Sequence, residues 1–135
     1  MTDNIRTPET EQEWRWCLVG NIVPKHEHGE EHIIKYGNKQ FRPDAKVYIN
    51  PVYAGMGHEN IVVIGTPRHT SKYIEIAVSR RYVYNFRVQK VFKPAVLRKM
   101  KSSDLEWWGN TEKDHLDISE FAKAFNESAE EYICR

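Results

Sequence analysis

The chain has 135 residues, the size of one domain, and can bury a core without metal or disulfide help. With 40% hydrophobic residues, 29% charged residues and a net charge of +1, the whole molecule makes no electrostatic case for nucleic acid or a membrane. Its two cysteines, Cys17 and Cys134, share no motif, which excludes a disulfide framework, a paired-cysteine zinc site and a dithiol redox site. No apolar run is long enough to span a bilayer and no signal peptide opens the chain, so a cytoplasmic, reducing compartment is expected.

Residues 1–12 carry almost no apolar content and read as a disordered terminus, leaving 13–135 as a single domain. From Glu13 to Val23, Trp14, Trp16, Leu18, Gly20 and Ile22 share one parity, which predicts a strand. Val19 and Val23 take the other parity, so this strand is either covered on both faces or bent near Gly20. Lys25 to Gln40 reads as a charged excursion with a return strand at His32–Tyr36, followed by a tight turn at Phe41–Asp44.

Four β-rich runs follow, at Lys46–Pro51, Asn60–Gly65, Tyr73–Val78 and Phe86–Phe92. Between the last two, Ser79 to Asn85 fits a single helical turn. Pro94 opens one or two helical turns over Ala95–Met100, and Trp107-Trp108-Gly109 reads as a bulky plug. Leu116, Ile118, Phe121, Ala122, Phe125, Ala129, Tyr132 and Ile133 then recur at helical spacings. They predict an amphipathic helix over about 112–131, opened at Thr111–Asp114 or at the closer capping-box match Asp117–Glu120.

This order of elements resembles a Src-homology-3-like small β-barrel over Trp14 to Phe92. Phe41-Arg42-Pro43-Asp44 looks like the family's diverging turn, and Tyr82-Val83-Tyr84-Asn85 like its short helical turn. The resemblance implies a mainly β (α+β) fold, a barrel of five to six strands with a C-terminal helix. It implies no ligand, because the acidic cluster and paired aromatics used for proline-rich peptides are missing. The segments Val19–Val23, Tyr36–Phe41, Lys46–Tyr48 and Phe92–Leu97 also resemble small bacterial proteins, some of which are immunity proteins, or antitoxins.

Charge is unevenly placed. From Ser79 to Lys101 there are 8 basic residues and no acid; from Ser102 to Arg135 there are 9 acids and 3 bases. Two surfaces follow. The acidic helix, through Asp114, Asp117, Glu120 and Glu127, suits a basic protein partner such as a nuclease toxin. The basic run, through Arg80, Arg81, Arg87, Lys90 and Lys93, suits nucleic acid if it is exposed rather than covered by that helix.

The histidines His26, His28 and His32 are the best metal candidates, but their spacing fits no standard site, and neither metal nor cofactor is expected. The hydroxyls of Thr66, Thr70, Ser71 and Ser79, with His58 and His69 as bases, form no nucleophile elbow. Cys17 lies in mid-strand, where burial leaves a thiol inert. The reading is a non-catalytic protein-binding module, most concretely an immunity protein that occludes a toxin's active site. The alternative is a nucleic-acid-binding small barrel using the basic face 80–101.

Overall fold

The computed structural model describes residues 13–23, 41–50, 60–68, 70–102 and 107–127. The predicted 1–12 terminus, the excursion with His26, His28 and His32, and the residues after Glu127 lie outside the described residues. Five strands, β1 (Arg15–Ile22), β2 (Lys46–Ile49), β3 (Asn60–Gly65), β4 (Ile74–Ser79) and β5 (Val83–Val91), form one sheet of order β4-β3-β2-β1-β5. All neighbours are antiparallel. Two α-helices follow, α1 (Pro94–Lys101) and α2 (Glu112–Glu127), and a single 3-10 turn (Arg80–Tyr82) precedes β5.

β1 lies between β2 and the edge strand β5 and is hydrogen-bonded to both. Both expectations for it hold. Leu18 and Ile22 belong to one core cluster, Cys17 and Val19 to another, so the strand is covered on both faces. It is also irregular at Gly20, where the register with β5 shifts between Val19 and Asn21. A Cβ on Gly20 would come within 2.9 Å of Val83 Cγ1 and 3.2 Å of the Tyr84 carbonyl, so only glycine lets β5 bulge inward here. The extra residue is Asn85, at φ 58°, a conformation asparagine tolerates better than most. This bulge also explains why β5 starts at Val83, earlier than the alternation of Phe86–Phe92 predicts.

The two faces are closed by different helices. On one, Leu18, Val47, Ile49, Ile61, Val63, Val78 and Phe86 meet Ile118, Ala122 and Phe125 of α2. On the other, Val19, Tyr48, Ile64 and Val91 meet Val96, Leu97 and Met100 of α1 together with Trp107. Pro94 does sit in the first turn of α1, where a missing N–H costs nothing. The predicted tryptophan plug is real and is split between the faces: Trp107 is fully buried with α1, and Trp108 packs against the α2 cluster. The chain crosses between faces beside β1, where β2 has ended: the Trp16 N–H donates to the Gly109 carbonyl at 2.9 Å.

The expected mainly β fold with a C-terminal helix is present, and of the two expected starts for that helix the structure takes the first. The described pairings form an open sheet with β4 and β5 as its edges. The C-terminal helix starts at Thr111–Asp114, and Asp117–Glu120 lies inside it, because Thr111 is the residue that exchanges capping hydrogen bonds with Asp114.

A candidate docking groove on the C-terminal helix

α2 has an inner and an outer side. Ile118, Ala122 and Phe125 point into the core, with Phe86 and Phe125 edge-on at 5.0 Å. The helix is also fastened to the β5 edge by a side chain. Asn126 accepts from the Phe86 N–H through Oδ1 at 2.9 Å and donates to the Phe86 carbonyl through Nδ2 at 2.7 Å. That amide takes the place of a neighbouring strand at the bulge and blunts an otherwise open edge.

On the outer side, Trp108, Asp117, Glu120, Phe121 and Ala124 line an open groove of about 560 Å³. Its apolar part is the Trp108–Phe121 pair, with ring centroids 5.6 Å apart. Two features set this geometry. Trp108 takes φ 45°, which turns it back over the helix. Gly109 then allows the capping carboxylate to approach, since a Cβ there would collide with Asp114 Oδ2. Leu116, expected on the buried face, is 57% exposed, one turn before Glu120 on the outer side.

The four predicted acidic residues separate in role. Asp117 and Glu120 line the groove. Asp117 also accepts from Lys113 at 2.9 Å, an exposed one-turn pair of small energetic weight. Glu127 is exposed, two helical turns beyond Glu120 on the same side. Asp114 is instead committed to the helix start. Its Oδ2 accepts from the Thr111 hydroxyl at 2.7 Å and from the Thr111 N–H at 3.0 Å. These hydrogen bonds hold its carboxyl below the usual aspartate range.

The five predicted basic residues do not form one patch. Arg80 is buried, its guanidinium 4.0 Å from the Phe125 ring centroid, so it is part of the α2 docking. Arg81 lies 5.9 Å from the Tyr82 ring. Lys90 stands among aromatic rings, 4.3 Å from Trp14 and 5.2 Å from Phe92. Arg87 and Lys93 are on the α1 side, Arg87 held by Asn21 and Lys93 at the N-cap of α1. The run alternates along β5, and alternation sends its members to opposite faces.

A smaller pocket of about 280 Å³ is lined by Trp14, Trp16, Asn110, Glu112 and His115, with Trp16 and His115 edge-on at 4.5 Å. Cys17 is buried, which pushes its thiol up to about 12. Among the described residues no group of three or more His, Cys, Asp or Glu side chains could hold a metal ion. His26, His28, His32, His58 and His69 all lie outside them. Among the described residues, too, no helix is long and apolar enough to cross a membrane.

Sequence reasoning found the acidic helix and missed the groove. Its floor comes from Trp108 and Phe121, residues that pattern alone assigns to plug and core. The signal was the adjacent tryptophan pair: two large rings on neighbouring backbone positions leave the chain in different directions, so both do not fill one core. Comparison with protein-family models, with curated proteins and with solved structures finds no match to this chain.

Proposed function

We propose that this protein is a non-catalytic protein-binding module whose α2 groove receives a basic partner. The observation that carries the reading is the groove itself. An apolar floor of Trp108 and Phe121 sits beside the outward carboxylates of Asp117 and Glu120, with the exposed Leu116 on the same side of the helix. An interface needs an apolar anchor to bury and charges to steer and orient it, and this surface offers both. The fitting partner presents an aromatic or aliphatic side chain flanked by lysine or arginine.

The most concrete form is a cytoplasmic immunity protein. Nuclease toxins bind phosphate through basic clefts, and an acidic helix laid across such a cleft would block substrate. We further assign the fold to the Src-homology-3-like small barrels. The strand order, the Arg80–Tyr82 turn before β5 and the turn at Pro43–Asp44, with Asp44 at φ 65°, support that assignment.

The test is protection. The reading requires a toxin domain encoded beside this protein's gene, and a gene neighbourhood with no such domain would count against it. Cells that express that domain are expected to survive when the wild-type chain is co-expressed. They are expected to die with the Asp117→Lys/Glu120→Lys variant, provided that circular dichroism shows the variant folded. Full protection by that variant would sink the reading.

A further inference from the structure

The sheet face under α1 is not wholly apolar. At the end that α1 leaves uncovered, cross-strand neighbours carry polar and cationic side chains. Lys46 on β2 stands opposite Asn21 on β1, and Asn21 stands opposite Tyr84 on β5. Arg87 donates from Nη1 to Asn21 Oδ1 at 2.8 Å and to the Asn85 carbonyl at 2.8 Å. These three strands span about 10 Å.

Lys46 joins two parts of this surface. Its Nζ donates to Gln89 Oε1 at 3.0 Å, which carries the ammonium across β1 toward β5. There Lys93 and Arg87 are near enough that, after burial, their like charges are the main reasons its ammonium sits below the usual lysine range. On its other side Lys46 lines a pocket of about 300 Å³ with Arg42, Thr66, Arg68 and Thr70. Among the described residues that line it there is no carboxylate. The nearby carboxylate of Asp44 accepts the Tyr84 hydroxyl at 2.7 Å.

Among the described residues Arg42, Lys46, Arg87 and Lys93 form no ion pair with a carboxylate, and like charges gathered in this way indicate an anionic ligand. From the row of Arg42, Lys46, Arg87 and Lys93, we propose that this face binds the sugar–phosphate backbone of a single-stranded nucleic acid. The other side chains present are of the kinds that contact phosphate and sugar, namely amides and hydroxyls. The Tyr84 ring, partly buried against the core, keeps an exposed portion for base stacking. A protein partner fits less well, because the apolar residues of this face are sealed beneath α1. The row is also too short to follow a duplex groove. Arg80 and Lys90, which sequence pattern would include, are absent from it, and Arg42 and Lys46, which pattern would omit, belong to it.

The experiment is fluorescence anisotropy of a short labelled oligothymidylate with the full chain, across a range of salt. Engagement of about three phosphates predicts a slope of log K against log salt of about −2. The exposed variants Arg42→Gln and Lys93→Gln are expected to leave the fold intact, to weaken binding and to make the slope shallower by about 0.7 each. Lys46→Gln/Arg87→Gln is expected to abolish binding, and Lys123→Gln on α2 to change nothing. Three results would overturn the proposal: no binding at low salt, equal binding by all the variants, or equally tight binding of an oligoglutamate. Competition by free phosphate as effective, phosphate for phosphate, as the oligonucleotide would reduce the face to a single-ion site and overturn it too.

Discussion

The two faces of the sheet are covered in different ways. On one, the eight-residue α1 seals Val19, Tyr48, Ile64 and Val91 with Val96, Leu97, Met100 and the fully buried Trp107. Its apolar residues are spent on the core, and its outer side is basic and polar. On the other, the sixteen-residue α2 buries only Ile118, Ala122 and Phe125, and keeps Phe121, Leu116 and Trp108 partly or largely in reach of solvent. The difference teaches where to look for function. A helix that buries its whole apolar stripe is explained by folding; one that leaves aromatic and aliphatic surface beside outward carboxylates is not.

That contrast can be broken by substitution. Trp107→Ala, which empties the sealed face, is expected to cost about 3–5 kcal/mol in denaturant unfolding. A cost near that of a surface change would show that α1 is not a core helix. Asn126→Ala removes both hydrogen bonds to the Phe86 backbone and is expected to cost about 2 kcal/mol, with faster amide exchange at Phe86. Unchanged exchange there would mean that α2 is held by apolar contacts alone.

Asp114 gives a smaller and pH-dependent effect. Its folded-state pKa is lowered by Thr111, so its contribution is present above the ordinary aspartate value and is lost as pH falls through the folded one. Asp114→Asn is expected to cost about 1 kcal/mol at neutral pH. The gap between wild type and variant should begin to close as pH falls below about 4 and vanish only below the lowered folded value. A gap that persists unchanged in acid would exclude the capping carboxylate as its source. The Asp117→Lys/Glu120→Lys variant should change stability by less than about 0.5 kcal/mol, since both residues face outward. A larger loss would make the groove part of the fold. Smallest of all, Cys17 should resist alkylation at pH 8 in the native protein and react once unfolded, read by peptide mass spectrometry at that residue. Native labelling would mean that the sealed face opens.

Much of this was legible in the sequence because period-two and helical spacing are local. The strands, the turn before β5, the helix at Pro94 and the tryptophan plug follow from neighbours in the chain. The groove and the basic row were not legible, because each is assembled across elements. Trp108 meets Phe121 only after the chain has crossed from one face to the other, and Lys46 meets Arg87 and Lys93 only through the β2-β1-β5 pairing. The basic run 80–101 misled for the same reason. Its residues are contiguous in sequence, and the strand divides them between faces.

The central claim is that the outer side of α2 is a docking surface for a basic partner. The most direct measurement is a pull-down with the full chain, followed by a charge-swap cycle against the basic protein it retains. The account predicts that Asp117→Lys/Glu120→Lys weakens binding at least about a hundredfold, about 3 kcal/mol, and that reversing the partner's facing lysines or arginines to glutamate restores much of it. Equal affinity of wild type and variant for that partner would contradict the claim outright.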